Sequence, residues 1–584
     1  MSLPPRPARG RSLRCLAVLS LLTACTPADL MGASPEDVVS AYETHLEFIG
    51  AWHAGDHDAM SGLLAQEDAE RWTAERFETA IEAVTSHADI EEVDLHADDV
   101  VPSENDASDG SETFDYAIEY VSAAVDATGV LDGRLPVVFD DDEDRWVIEW
   151  DRSLLLPGIV GARRLDLQRT WPRRAAILDR SGRKLARGGA VGRRYPFGAT
   201  AGTTIGHIGV VGKKTVAEHP DHEVGDLVGE SGIEEGFEER LAGTPTTKLV
   251  VLGRKAKRLE VLASQRGSPA APLRTTLDIR VQQAAEAAYG STTGGAVVLD
   301  PATGDILAAV ASSPFGPQNY VGVAGIEPFN RALSGLYPPG SAQKVVTAAA
   351  ALDSGKVKTT TQLTGPAEYK GVRNFESGEF GTLSFASALH NSVNTAFAQV
   401  AERLGAKRIT RYAELFGFNR EPAMPLGAAR SSFPVPEDHG DLMWGAIGQA
   451  QVVATPLQMA TIAATIANGG KRMEPRVTMR APKAGERVVS RKTARTMTEL
   501  MEGVVQGGTG VGAQIPGVRV AGKTGTAEVD VGGERRNHAW FVCFAPAGNP
   551  KVAVAVVSEY GGVGGQVAAP LARAILSAVL PLVR

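Results

Sequence analysis

The sequence predicts a multidomain α+β protein, on three observations. At 584 residues the chain is too long for one domain, and three or four are expected. Residues 34–152 read as helices followed by alternating strands, the pattern of a small α+β unit. Residues 294–308 read as strand, turn and strand, and the chain closes on an amphipathic helix over about 567–580 that Pro581 stops. A hydrophobic share of 43% and a net charge of −10 describe ordinary soluble globular material and argue against nucleic acid as the main partner. The three cysteines, Cys15, Cys25 and Cys543, build neither a disulfide framework nor a metal cluster.

The first residues carry targeting signals. Arg6, Arg9, Arg11 and Arg14 form a basic region ahead of the apolar run Cys15 to Ala24, which is shorter than the roughly 20 residues a bilayer span needs. The run ends Leu22-Thr23-Ala24-Cys25, which resembles a bacterial lipobox. That resemblance implies a signal peptide over 1–24, lipidation of Cys25, a linker over 25–33, and a protein held at the extracytoplasmic face of the cell membrane. Cys543 is expected to be a buried strand residue.

In the first domain Ser34 caps and Pro35 opens a helix whose apolar positions Val38, Val39, Tyr42, Leu46, Ile49 and Trp52 recur at helical spacing. A second helical stretch covers about Glu70 to Ser86, and strands follow at Thr113 to Val121, Leu135 to Phe139 and Trp146 to Trp150. The acidic run Asp140 to Asp144 is read as a solvated turn. The opening Phe48 to Asp56 and the closing Trp146 to Asp151 resemble the NTF2-like N-terminal domain of methicillin-resistance-type penicillin-binding proteins. The resemblance implies a cone over 34–152 that serves as a spacer or a docking surface.

Next comes Arg174-Ala175-Ala176-Ile177-Leu178-Asp179-Arg180-Ser181-Gly182, then Gly229 to Gly243 and Leu273 to Gln282. These segments resemble the non-catalytic dimerisation, or pedestal, domain of high-molecular-weight penicillin-binding proteins, with Ala175 in place of the usual glycine and Ser181 in place of the usual asparagine. The resemblance implies an extended, mostly-β pedestal over 153–277, followed by a last domain over 278–584.

The chemistry is expected at Tyr337-Pro338-Pro339-Gly340-Ser341-Ala342-Gln343-Lys344. The prolines hold the chain extended, and the alanine-rich run behind Lys344 favours a helix. Ser341 therefore falls at a helix start, with Lys344 on the same face. A serine hydroxyl needs a neighbour to take its proton, and a desolvated amine does that. Ser181-Gly182-Arg183-Lys184 has the same Ser-x-x-Lys spacing, but its glycine and flanking residues read as a turn. Ser103-Glu104-Asn105 is a similar decoy for the second motif, Ser392-Val393-Asn394, which offers a relay hydroxyl and an amide. The third, Lys523-Thr524-Gly525-Thr526, reads as a strand with a cation and two hydroxyls for a carboxylate. Ideal alternation puts Lys523 and Thr524 on opposite faces, so both reach one site only at a sheet edge.

Ser-x-x-Lys, Ser-x-Asn and Lys-Thr-Gly in this order resemble the signature of the penicillin-recognising serine acyltransferases. Gly448-Gln449-Ala450 with Thr455 to Ala460 is similar to a further segment of that family, Ala450 departing from its final glycine. The chain is thus identified as resembling class B penicillin-binding proteins. The resemblance implies a β-lactamase/transpeptidase-like domain with a central antiparallel sheet flanked by helices, and a peptidoglycan D,D-transpeptidase that β-lactams acylate. Ser341 would be the nucleophile, Lys344 its base, and Ser392 with Lys523 the relay to the leaving D-Ala. Asn394 would orient the donor amide, Thr524 and Thr526 would hold the substrate carboxylate, and Gly525 would let substrate backbone approach. The resemblance implies no cofactor and no metal. Its partners would be stem peptides, β-lactams, the membrane and a glycan-polymerising membrane protein. A D,D-carboxypeptidase or a non-catalytic β-lactam sensor would share these motifs. A P-loop over Gly517 to Thr524 and a histidine-assisted hydrolase through His390 or His538 are the remaining rivals.

Overall fold

A computed structural model describes residues 35–97, 110–219, 221–312, 315–481 and 483–583. The signal segment with Cys15 and Cys25, the Ser34 cap and the Ser103 decoy lie outside the described residues. The described residues fall into two compact units, one within 35–169 and 247–266 and one within 170–246 and 267–583.

In the first unit, helix α1 (Pro35–Ala54) and helix α2 (Ala74–Thr85) pack on a four-stranded antiparallel sheet of order β1-β2-β3-β4. Its strands are β1 (Ile90–Ala97), β2 (Ser111–Ser122), β3 (Thr128–Asp140) and β4 (Arg145–Ile148). The inward positions of β2 alternate as Phe114, Tyr116, Ile118 and Tyr120, the period-2 burial of a one-sided sheet. Tyr116 lies opposite Gly133, where any Cβ would meet the tyrosine ring at 2.5–2.7 Å, so glycine makes room for it. The buried tyrosine hydroxyls are satisfied by backbone, Tyr116 by Leu154 O and Tyr120 by Leu155 O. Trp150 is the centre of an aromatic cluster with Phe48, Trp52, Trp72 and Phe77, at ring separations of 5.0–6.0 Å. Sequence periodicity missed β1 and the first half of β3, which carry too few apolar side chains to announce themselves.

The acidic turn departs from its reading as merely solvated. Glu143 accepts from the Gln66 N–H at 3.0 Å and pairs with Arg145 at 2.6 Å, and Arg145 in turn donates to Gly62 O and Leu64 O. The turn thus ties the β3–β4 hairpin to the helical layer. A second sheet, of order β7-β6-β5, joins the same unit: β5 (Arg164–Thr170), β6 (Thr246–Leu252) and β7 (Arg258–Gln265). Leu165, Leu167, Leu249, Val251 and Ala263 of this sheet share the cone's core. Strands from the segment expected as the pedestal therefore share a core with the cone.

In the second unit the pedestal motifs explain one another. Arg174 and Arg193 both donate to Glu234, at 2.9 and 2.7 Å, Tyr195 adds a third donor at 3.1 Å, and Arg174 also grips Glu238. Glu234 is fully buried, and the two guanidiniums hold its carboxyl below the usual range against the opposing effect of burial. Two distant motifs thus meet in one network through Arg193 and Tyr195, and removing one guanidinium would leave the buried Glu234 charge short of a partner. Ser181, the decoy serine, sits in a turn where Asp179 accepts from the Ser181 and Arg183 N–H groups.

The last domain is built on a five-stranded antiparallel sheet of order β9-β8-β12-β11-β10. Its strands are β8 (Gly294–Leu299), β9 (Ile306–Ala311), β10 (Ala521–Val531), β11 (Glu534–Ala545) and β12 (Val552–Ser558). On one face Phe541 and Cys543 pack with helices α3 (Ile279–Tyr289) and α9 (Ala568–Val579). On the other, Trp540, Val542 and Phe544 meet the larger helical layer. That layer holds α4 (Lys344–Asp353), α5 (Phe385–His390), α6 (Asn394–Leu404), α7 (Pro456–Ala467) and α8 (Arg491–Gly507). Cys543 is buried and free, as read from the sequence.

His45 supplies a test of the first unit. It is fully buried against Phe114, at 5.1 Å between rings, and neither ring nitrogen has a partner among the described residues. Burial lowers its pKa from 6.5 to about 4, so the folded cone resists protonation that the unfolded chain accepts. Stability is full above about pH 6.5 and falls as the pH drops toward about 4, by about 3 kcal/mol from this one group. Thermal unfolding followed against pH should show that slope, and His45→Leu should flatten it.

Candidate active site

Three segments converge beside strand β10, the edge of the sheet. Residues Gly340–Gln343 form a single 3₁₀ turn that runs into α4, so Ser341 stands one turn before the α-helix and Lys344 at its first position. The turn is pinned from two sides. Gly340, at φ 52°, donates its N–H to Gly448 O at 2.8 Å, and the Trp540 indole donates to Pro338 O at 2.9 Å. Gly525 of β10 abuts this turn: a Cβ there would lie 2.6 Å from Pro339 O and 3.1 Å from the Ala342 nitrogen. The clearance that the sequence reading gave to a substrate backbone is taken up, on the Cβ side, by the protein's own serine turn.

The second segment is the α5–α6 corner. Ser392 adopts φ 57°, a left-handed conformation that costs a non-glycine residue about 1 kcal/mol or more. That geometry brings both its carbonyl and its hydroxyl to Lys344, whose Nζ lies 2.6 Å from Ser392 O, 3.3 Å from Ser392 Oγ and 2.6 Å from Asn394 Oδ1. Asn394 is oriented by its own amide, which donates to Arg373 O at 2.8 Å, and its Oδ1 lies 3.5 Å from Ser341 Oγ.

The third segment is β10 itself. Lys523 Nζ donates to Ser392 Oγ at 2.8 Å and curls back to Thr524 O at 3.0 Å, with Thr524 Oγ1 at 3.3 Å. The alternation problem resolves as the sheet edge allows, with the long lysine reaching round to the site. Thr524 Oγ1 bonds Thr509 Oγ1 at 2.6 Å, and Thr526 Oγ1 accepts from the Gly564 N–H at 3.2 Å. Thr509, Gly564 and Arg373 carry no motif, and no sequence signal marked them.

Both lysines are fully buried. Burial, and then the nearby charge of Lys523, pushes the Lys344 amine well below its ordinary value of 10.5. Burial alone lowers Lys523 to about 7. The Lys344 ammonium also rests 5.3 Å from the Phe397 ring, an apolar wall with a weak cation preference. The result is an amine that gives up its proton more readily than an ordinary lysine, one hydroxyl away from a second amine, which is what proton transfer at a serine requires.

The rivals lose their geometry. Lys523 and Thr524 lie inside a strand with no helix after them, so the P-loop pattern is accidental. His538 Nδ1 accepts from the Tyr560 N–H at 3.2 Å, and His390 is half-buried at the end of α5. Among the described residues neither histidine bonds Ser341. Ala450 keeps a left-handed φ of 57°, the conformation that the glycine of the family pattern adopts without strain.

Residues 294–577 match the penicillin binding protein transpeptidase domain, 188–275 the penicillin-binding protein dimerisation domain, and 40–163 the NTF2-like N-terminal transpeptidase domain. A peptidoglycan D,D-transpeptidase PbpA of Mycobacterium tuberculosis is 38% identical over 356 residues, covering 52% of this chain and 72% of that protein. The chain belongs to the class B penicillin-binding proteins. A peptidoglycan D,D-transpeptidase MrdA of Acinetobacter baumannii is 30% identical over 66% of this chain and 65% of its own length. The crystal structure of PBPA from Mycobacterium tuberculosis superposes with a TM-score of 0.57 at 34% identity, covering 70% of this chain and 98% of that one. A ceftriaxone acyl-enzyme complex of penicillin-binding protein A from the same organism gives 0.54 at 33% identity, with the same two coverages. The fold class read from the sequence, an NTF2-like domain with a transpeptidase domain, is the one that the family matches over 40–163 and 294–577 give.

The contact between Gly525 and the serine turn is testable. Gly525→Ala forces backbone apart at the turn that aims Ser341, so the second-order rate of acylation by a fluorescent penicillin should fall at least about tenfold, with far-ultraviolet circular dichroism unchanged.

Proposed function

We propose that this chain is a peptidoglycan D,D-transpeptidase working through an acyl-enzyme at Ser341. The observation that carries the reading is the buried Lys344–Ser392–Lys523 chain beside Ser341, with links of 3.3 and 2.8 Å. Lys344 takes the Ser341 proton as Oγ attacks the carbonyl of the penultimate D-Ala. The C–N bond to the terminal D-Ala breaks, and its amine leaves with a proton passed through Ser392. An amine of a second stem peptide then attacks the ester, gives up a proton along the same path, and returns Ser341 to its hydroxyl form. Backbone N–H groups of Ser341 and Thr526 stabilise the oxyanion, a contribution worth about 3–4 kcal/mol per donor in serine acyl transfer. Thr524 and Thr526 take the substrate carboxylate beside the Lys523 charge, Gly525 keeps that strand close to the turn, and Asn394 aligns the donor amide. A β-lactam amide presents the same carbonyl and leaves Ser341 acylated.

The same reading gives the parts outside the site. Cys25 carries the lipid that holds the chain at the extracytoplasmic face of the membrane, and among the described residues no helix is long and apolar enough to cross it. A glycan-polymerising membrane protein supplies the strands to be cross-linked, with the N-terminal cone as spacer or docking surface. This reading keeps the cone over 34–152, the pedestal over 153–277 and the catalytic domain over 278–584 as segments of the chain, with the pedestal's strands at 164–170 and 246–265 packed into the cone's core.

Turnover of a D-Ala-D-Ala-mimicking thioester tests the activity. A D-amino acid acceptor should divert the product to the aminolysed form. Hydrolysis alone, indifferent to the acceptor, would mean a carboxypeptidase, and a single burst without turnover would mean a sensor. The acylation rate should follow a bell in pH. It falls on the acid side as Lys344 takes up a proton, and on the alkaline side beyond about pH 7 as Lys523 loses its charge. Lys523→Ala should remove the alkaline limb.

A further inference from the structure

The outer edge of the cone brings together a set of side chains with no part in the acyl-transfer chemistry. Strand β1 is the edge of its sheet, and Asp94 and His96, two residues apart on it, project from the same face. Glu119 of β2 pairs directly opposite Asp94. One donor atom from each of Asp94, His96 and Glu119 lies within 4.8 Å of the other two. His53, from the last turn of α1, borders the set with Nδ1 3.5 Å from Asp94 Oδ1.

The spacing of these groups is informative. His96 Nε2 stands 3.6 Å from Glu119 Oε2, and the His53–Asp94 pair is at 3.5 Å. Both exceed the roughly 2.7–3.2 Å of an N–H···O hydrogen bond. Two ligands held at about 2.0–2.2 Å by one tetrahedral Zn²⁺ lie roughly 3.3–3.6 Å apart, which the His96–Glu119 pair matches, and Asp94 stands within 4.8 Å of both. Charge points the same way. Asp94 and Glu119 are like charges directly opposite each other, an arrangement that weakens a strand pair unless a cation lies between them.

We propose that Asp94, His96 and Glu119 form a divalent transition-metal site, with Zn²⁺ as its fitting occupant, bordered by the imidazole of His53. One imidazole and two carboxylates suit a borderline cation and leave a position for water. The ion would cross-link β1 to β2 at the open edge of the sheet, next to the end of α1. Its role is to stiffen the cone, and it is independent of the acyl-transfer reading.

The test uses the full chain without an affinity tag, stripped with chelator and titrated with ZnCl₂ at neutral pH. The wild type should bind one equivalent by calorimetry and elemental analysis, and unfold at a higher temperature once loaded. His96→Ala and Glu119→Gln should each weaken binding at least about tenfold, while His87→Ala, a control on the same unit, binds like the wild type. All the variants should acylate with a labelled penicillin at the wild-type rate, which shows them folded and leaves the proposal separate from the catalytic one. Absence of Zn²⁺ uptake by the wild type, or equal uptake in His96→Ala, would overturn it.

Discussion

Two lysine amines are buried side by side around one serine hydroxyl, and the catalytic half of the molecule is arranged to permit it. Among the described residues Lys344 and Lys523 have no carboxylate partner at the site. Their acceptors are neutral: a carbonyl, an amide oxygen and hydroxyls. Neutral acceptors stabilise a buried charge less than a counter-ion does, so desolvation prevails and both amines shed protons more readily. A carboxylate placed here would restore the ordinary lysine pKa and remove the base. The strain at Ser392 belongs to the same design, because its left-handed backbone turns carbonyl and hydroxyl toward the lysines together.

Holding such a cluster requires rigid neighbours. The serine turn has no flexible clearance: Gly340, Gly448 and Gly525 let backbone meet backbone at distances where any Cβ would collide. The turn is therefore fixed by β10, by the Trp540 indole and by the loop at Gly448, three elements far apart in sequence. Helix α7, almost wholly apolar, fills the space beneath the sheet, with Thr455 capping it through the Gln458 N–H. The Thr-Pro-Leu-Gln segment is thus a helix start that supports the site from below.

The sequence made the catalytic half legible because its chemistry is local. Each motif is a turn or a strand whose residues act within a few positions of one another, and their order along the chain restricts what they can do together. What it hid were the contacts between distant segments. The partnership of Arg174 with Glu234, the grip of Glu143 on Gln66 and the meeting of Thr509 with Thr524 depend on packing that no periodicity encodes. Gly525 was marked as needing space, but the occupant of that space, the serine turn, appeared only in three dimensions. The edge strand β1 escaped for a physical reason, its apolar residues being interrupted by Glu91, Glu92, Asp94 and His96. The His–carboxylate cluster escaped with it.

The central claim is that Ser341, and no other serine, is the nucleophile that the two buried lysines activate. Intact-mass measurement after incubation with a labelled penicillin tests it most directly. The account predicts one stable adduct on the wild type, retained in Ser181→Ala and absent from Ser341→Ala. An adduct of undiminished yield in Ser341→Ala would contradict it.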